Sequence, residues 1–462
     1  MLRTTLLPLI CCLLGSVTLQ AAHSAAKSAG NSPANPSAEF RGWTAESPRE
    51  EIRPQFCTGE GQTLVITHDQ RAGLDGWFQR TFEVKGGTFF RFKVQRKISG
   101  VSNPRQSCLV RVRWQDAAEK MVKQDVAPVY ARPNLPMPSA EPEYPTDGPT
   151  DADGWTTVSG VYRCPSKATH AVVEMHLQWA PGGRVEWRGA EFLETEAPTP
   201  RKVRLATVHY KPSGQSVQKN CEEYAPLLAE AGKQRADLVV LGETVPTAEI
   251  AGKKTKVDEL AEPIPGPSTQ FFAELAKKHH LHIAFSLYER EAHLIFNTAV
   301  LLGPDGQILG KYRKVSLPPK EAFSGISPGR EYPVFETAFG KVGMMVCYDG
   351  FFPEVARELT KNGAEVIAWP VWGCNPMLAQ ARACENRVFL ISSTFMNPDA
   401  GWMWSAIFDQ GGRPLVQGEK WGTVLVTEVD LAQPYHGPYN LGDFHAMLPR
   451  HRPPIPGDAP AK

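Results

Sequence analysis

The pattern of apolar residues changes once along this chain, near residue 200, and a chain that changes its pattern there builds two domains of different kinds. Before that point the period is two. Phe90, Phe92 and Val94 alternate with Arg91, Lys93 and Gln95, giving one apolar and one charged face, as a half-buried antiparallel strand requires. Val110, Val112 and Trp114 alternate in the same way with Arg111 and Arg113, and Val173, Met175 and Leu177 alternate with Glu174 and His176. Val185 and Trp187 flank Glu186. Short alternating strands bounded by Gly and Pro turns predict an all-β sandwich over residues 40–193. The Pro-rich excursion Pro128–Pro149 reads as a long surface loop, because proline cannot donate to a sheet ladder. The stretch ETEAPTPR, residues 194–201, reads as a linker.

Beyond the linker, near-continuous apolar runs (VRLATVHY, ADLVVLGE, LHIAFSLYE, KVGMMVCYD, AEVIAWPV) alternate with helical stretches at Glu222–Ala231, Thr269–Lys278 and Pro353–Lys361. Strands apolar on both faces are covered on both faces, which indicates an α/β or layered α+β domain over residues 202–448. A Pro-rich tail, 449–462, follows. A chain of 462 residues exceeds what one core organises, roughly 250 residues.

Residues 1–22 combine a basic Arg3, an apolar stretch and small residues at Ala21 and Ala22, the pattern of a secretory signal. Residues 23–39 have the composition of a disordered leader. The expectation is an exported protein, periplasmic or extracellular. Of nine cysteines, Cys11 and Cys12 leave with such a signal, and the odd number remaining implies a free thiol or an intermolecular bridge. The spacings fix no disulfide framework and no zinc site. With 50 Lys+Arg against 49 Asp+Glu there is no electrostatic footprint for nucleic acid.

Three residues could carry chemistry. Cys347 follows the apolar run Val342–Val346 and precedes Tyr348, Asp349 and Gly350, where a buried strand ends in a turn. Strand ends are where a rigid sheet presents side chains to a substrate, although a lone Cys is more often core. Glu243 ends the run Leu238–Gly242 in the same way, so its carboxylate is partly desolvated and suited to proton transfer. Lys314, in GKYRKVSLPPKE, would by itself be a surface lysine.

The conjunction changes this reading, because the three segments resemble the signature regions of the nitrilase (carbon-nitrogen hydrolase) superfamily. Glu243 stands in VVLGETVPT, with Gly242 where that family often has proline. Lys314 stands in KYRKVSLP, with Ser316 in place of a frequent histidine. Cys347 stands in GMMVCYDGFFPE, and GAEVIAWP and ARACENRVFL follow in the family's order. The resemblance spans residues 202–430. It implies a four-layer α-β-β-α fold, no cofactor and no metal, and a homodimer or larger homo-oligomer. It also implies catalysis by Glu243 as base, Cys347 as nucleophile and Lys314 as oxyanion partner, with the Tyr348 backbone N–H aiding substrate binding. Glu321 is the expected second glutamate, with Glu331 as its substitute. The substrate implied is a small amide or ureide. Tyr348–Asp349 after the cysteine, where nitrilases usually have Trp–Glu, favours an amidase or carbamoyl hydrolase over a true nitrilase.

The N-terminal region resembles carbohydrate-binding and galactose-binding-like sandwiches in pattern alone. Trp77, Trp155 and Trp179 could stack on a glycan, but a Trp in such a sheet more often packs in the core. The reading from another class is therefore an exported glycan-binding protein with an inactive second domain. Three weaker patterns are set aside as turns or packing. In GISPG, Pro328 follows Ser327 and has no N–H for an oxyanion hole. DADG at Asp151–Gly154 lacks the distal calcium-ligating glutamate, since Tyr162 occupies that place. His279, His280 and His282 lack zinc spacing.

Overall fold

The computed structural model describes residues 40–126, 137–250, 255–435 and 444–453. The expected signal, the leader and the tail from residue 454 lie outside them, as does most of the first half of the Pro-rich excursion. Among the described residues no helix is long and apolar enough to cross a membrane.

The first part is antiparallel: β1 (Thr44–Glu46), β2 (Gln55–Thr58), β3 (Leu64–Thr67), β4 (Asp75–Glu83), β5 (Phe89–Ser99), a short helix α1 (Pro104–Ser107), β6 (Val110–Gln115), β7 (Thr146–Thr150), β8 (Thr156–Arg163), β9 (His170–Gln178) and β10 (Arg184–Thr195). One sheet has the order β1-β4-β9-β6, the other β2-β3-β10-β5-β8-β7. Phe78, Val112 and Val173 of the first meet Phe92, Val158 and Val185 of the second in one apolar core. In β5 the alternation is as expected, with Phe90, Phe92 and Val94 buried and Arg91 and Lys93 exposed.

Three expectations fail here. Part of the Pro-rich excursion is not loop, because β7 pairs with β8 at the sheet edge and carries Pro149 across a bulge between Asp147 and Thr150; an edge strand tolerates a missing N–H. Trp179 is 59% exposed at a left-handed turn. The polar face of β9 is not solvated: Glu174 and His176 are buried, the glutamate bound by Arg111 and by Arg113 (Nε to Oε1, 2.8 Å), and the imidazole stacked on Trp77.

Burial alone would raise the Glu174 pKa, but His176, Arg111 and Arg113 hold it down at about 2. A folded-state pKa below the unfolded value gives stability that is present above about pH 4.5 and lost as pH falls toward 2. Glu174→Gln is expected to cost roughly 3 kcal/mol at pH 7. Urea titrations across pH check this: the gap to wild type closes as pH falls toward 2, and a pH-independent gap would contradict the assignment.

The second part runs β11 (Lys202–His209), α2 (Val217–Lys233), β12 (Leu238–Val240), α3 (Val257–Leu260), α4 (Pro267–His279), β13 (His282–Glu291), β14 (Leu294–Leu302), β15 (Ile308–Arg313), α5 (Pro319–Phe323), β16 (Val334–Glu336), β17 (Lys341–Met344), α6 (Pro353–Lys361), β18 (Val366–Pro370), α7 (Pro376–Asn386), β19 (Phe389–Ser393), β20 (Ala406–Phe408), β21 (Pro414–Gln417), β22 (Thr423–Asp430) and α8 (Phe444–His451). The sheets have the orders β15-β14-β13-β12-β11-β22 and β16-β17-β18-β19-β20-β21.

Alternation on β11 explains the layering. Val203 and Leu205 face the second sheet and, through it, Val355 and Ala356 of α6 and Ala379 and Ala383 of α7. Ala206 and Val208 face Tyr224 and Leu228 of α2 and Phe272 of α4. The result is a four-layer α-β-β-α domain, the architecture the resemblance implies. Hydroxyls pin the sheets together, Thr207 Oγ1 donating to Ser392 O and Ser393 Oγ to Val208 O, both at 2.6 Å.

The boundaries shift a little from those expected. β10 runs two residues into the linker, and α8 passes residue 449, where the tail was placed. Side chains on α8 bind the first part of the chain: Arg450 donates to Pro145 O, and Met447 packs with Leu109 and Tyr144.

Candidate active site

Parallel strands β12, β17 and β18 end on one side of the paired sheets, and each releases its chain into a turn there. Glu243 follows β12, Cys347 follows β17, and Trp372 and Gly373 follow β18. Lys314 follows β15, and Asn297 lies within β14 beside it, Lys314 N–H donating to Asn297 O at 2.9 Å.

The two turns that carry functional groups are strained in the same sense. Thr244, next to the glutamate, has φ 45° and Cys347 has φ 41°, a left-handed region that costs an L-residue roughly 1–2 kcal/mol. Such strain persists only where the surroundings over-determine it. Thr244 N–H is held by Ser286 Oγ at 2.7 Å. Around Cys347 the pin is Asp349, fully buried, whose Oδ2 accepts from Val346 N–H at 2.9 Å and Tyr312 OH at 2.8 Å, while Oδ1 accepts from Ser316 N–H at 2.8 Å. Trp369 Nε1 donates to Cys347 O at 3.2 Å. Gly350 lies against that indole, and a Cβ there would fall 1.9 Å from Trp369 Cζ2. Gly350→Ala is expected to cost about 1–3 kcal/mol by overpacking and to lower turnover by moving the cysteine turn, as read by melting temperature and activity together.

Burial sets the electrostatics. Glu243 is 4% exposed and Lys314 1%. Lys314 Nζ donates to Glu243 Oε1 at 2.9 Å and to Glu321 Oε1 at 3.0 Å, with Glu321 Oε2 at 2.9 Å. Asn297 Nδ2 donates to the same two carboxylates, at 2.8 Å to Glu243 and 3.1 Å to Glu321. The other Glu243 oxygen accepts from Trp372 N–H at 3.0 Å. Burial pulls the Lys314 pKa down, but the carboxylates of Glu243 and Glu321 outweigh it and hold the ammonium charged well above the usual lysine range. Burial raises the Glu321 pKa, aided by Glu243 and opposed by Lys314. The Cys347 thiol donates to Gly373 O at 3.4 Å. Burial and the Glu243 charge push it well above its ordinary value, more than Lys314 pulls it down. The resting thiol is therefore protonated, so the neighbouring lysine does not by itself yield a thiolate.

Glu243, Lys314, Cys347 and Glu321 thus meet in one place. Glu331 is exposed, and Glu321 is the second carboxylate on the lysine. Tyr348 is half-buried, its ring against Phe351 and Phe352. Its N–H lies at the start of the 3₁₀ turn Cys347–Phe351, among the first donors of a helix, which have no acceptor within it. Asn297 and the Trp372 N–H were missed. The signal for Asn297 was available, a lone amide inside the apolar run LIFNTAVLL, whereas a backbone donor has no signature in sequence.

The patterns set aside have structural work. Ser327 N–H donates to Ile295 O at 2.7 Å and Gly329 N–H to Lys314 O at 2.8 Å, so GISPG ties down the loop that follows the lysine. Asp151 closes its own turn, accepting from Asp153 and Trp155 N–H. His282 is buried on β13, its Nδ1 2.9 Å from Asp237 O.

Known proteins are similar to the second part of the chain. The carbon-nitrogen hydrolase family profile matches residues 204–436, beginning inside β11. A nitrilase of Pyrococcus abyssi is 36% identical over 203 residues, 43% of this chain and 77% of that protein. The omega-amidase NIT2 of Mus musculus is 31% identical over 235 residues, 46% of this chain and 83% of its own length. The crystal structure of a carbon-nitrogen hydrolase from Helicobacter pylori G27 is 27% identical and covers 50% of this chain and 90% of that one, with a TM-score of 0.45. With half its length matched by the family profile and a nitrilase 36% identical over 77% of its own length, the chain belongs to the carbon-nitrogen hydrolases of the nitrilase superfamily.

Proposed function

We propose that the enzyme hydrolyses small amides or ureides through a thioester on Cys347. The observation that carries this reading is the buried Lys314 ammonium clamped between Glu243 and Glu321 beside a protonated thiol. Cleaving an amide requires a nucleophile, a partner for the oxyanion and a proton for a poor leaving group.

In this mechanism Glu243 takes the Cys347 proton as sulfur attacks the carbonyl carbon. The oxyanion forms against the Lys314 ammonium and the Tyr348 N–H. An ammonium has three donors; two directions serve the carboxylates, leaving one for the substrate. As the tetrahedral intermediate collapses, the C–N bond breaks and the proton on Glu243 passes to the departing ammonia or amine. Water then gives a proton to Glu243 and attacks the thioester, and that proton returns to sulfur as the carboxylic acid leaves. Glu321 and Asn297 position the lysine and the base. The Tyr348–Asp349 pair supports an amidase rather than a nitrile hydrolase.

The test is ammonia release by the full chain from a panel of primary amides, N-carbamoyl compounds and nitriles, with mass spectrometry of the acylated enzyme. Amide or ureide turnover with an acyl mass on the Cys347 peptide is expected. Turnover of nitriles alone, or no turnover of any panel member, overturns the proposal.

A further inference from the structure

The two N-terminal sheets leave a cavity of about 210 Å3 at one end of their shared core. Its floor is apolar, made by Leu64 on β3, Met175 on β9 and Trp187 on β10. Arg41, Arg80 and Arg188 also line it, and all three are exposed.

The charge at this cavity is uncompensated. Arg188 donates from Nε to Gln95 Oε1 at 2.8 Å and stacks 3.9 Å over Trp155; Arg80 lies over the Phe82 ring at 4.9 Å. Among the described residues none of the three arginines has a carboxylate partner. Elsewhere in the same part of the chain Arg96 pairs with Asp147, Arg111 and Arg113 with Glu174, and Arg163 with Asp125. Trp187, 1% exposed, closes the floor.

We infer that this cavity is a binding site for a compact organic anion: a ring-sized apolar body against Leu64, Met175 and Trp187, and a carboxylate or sulfonate head at Arg41 and Arg80. Planar guanidinium groups match such heads bidentately. Drug-sized sites run to roughly 300–1,000 Å3, so this smaller space takes a single ring. The site is separate from the Cys347 pocket and does not depend on the proposed hydrolysis.

Saturation-transfer NMR and calorimetry on the full chain test it, with benzoate, benzenesulfonate and glucuronate as probes and benzyl alcohol and glucose as neutral counterparts. At least one ring anion is expected to bind at least tenfold more tightly than its neutral counterpart. The Arg41→Gln/Arg80→Gln double variant, altered only at exposed positions and checked for an unchanged melting temperature, should lose that binding at least tenfold. Cys347→Ala should bind as wild type, which separates this site from the catalytic pocket. The inference is overturned if no ring anion binds, if the neutral counterparts bind equally, or if the arginine variant binds as wild type does.

Discussion

Lys314→Met is expected to abolish measurable turnover and to cost about 3–5 kcal/mol of folding stability, the usual result of removing one partner of a buried ion pair. Glu243 and Glu321 both approach the Lys314 ammonium, and the Asn297 amide that bridges them carries no charge. Without the lysine, two buried carboxylates face each other and one must take a proton. The Glu321 pKa is already raised, first by burial and then by Glu243, against the pull of Lys314; without that pull it rises further. A folded-state pKa raised above the unfolded one gives stability that is present below about pH 4.5 and lost as pH climbs through the folded value. The stability gap between variant and wild type should therefore be smallest near pH 4 and widest at neutral pH. Paired urea titrations at the two pH values decide it. A gap that does not change with pH, or turnover within tenfold of wild type, would show that the lysine does not compensate the two acids.

Glu243 and Cys347 each end an uninterrupted apolar run, which marks a strand end, but alone the cysteine reads as core and the glutamate as an ordinary strand-end acid; they became candidates together, in segments that resemble one family. Lys314 depended on that company most, since neither periodicity nor composition separates a buried lysine from the solvated majority. What stayed hidden has a common physical cause: it depends on neighbours distant in sequence. The polar face of β9 reads as solvent-facing until β6 brings Arg111 and Arg113 over Glu174. Asp349 reads as a marker of enzyme class, yet it is the pin of the cysteine turn, and its partners Tyr312 and Ser316 lie more than thirty residues upstream. The contact of Arg450 with Pro145 spans 305 positions, so the end of the chain read as tail. The three expected helices were placed correctly and two drawn too short, α2 and α4 extending past the expected ends with Ser216 capping α2 and Pro267 opening α4, while α7 was not expected.

Cys347→Ala is expected to reduce turnover by roughly 10⁴-fold or more, because no other group in the pocket can form the acyl intermediate. Its effect on folding should be small. The thiol's hydrogen bond to Gly373 O is long, at 3.4 Å, and alanine has the same left-handed strain at φ 41° that cysteine has, so the turn held by Asp349 and Trp369 is kept. The adduct must be located by peptide mapping, because the chain has other free thiols: Cys57 is exposed and Cys384 is partly so. Since the resting Cys347 thiol is protonated, simple alkylation should be slow at pH 7 and faster at higher pH, as the thiolate fraction grows. A substrate amide that engages Glu243 as base bypasses that limit, so acylation by substrate should outpace alkylation by a non-amide electrophile at neutral pH. Loss of turnover with unchanged melting, together with disappearance of the acyl mass from the Cys347 peptide, is the expected result. Turnover that survives in the alanine variant would move the nucleophile elsewhere and leave the strained turn at Cys347 without a chemical purpose.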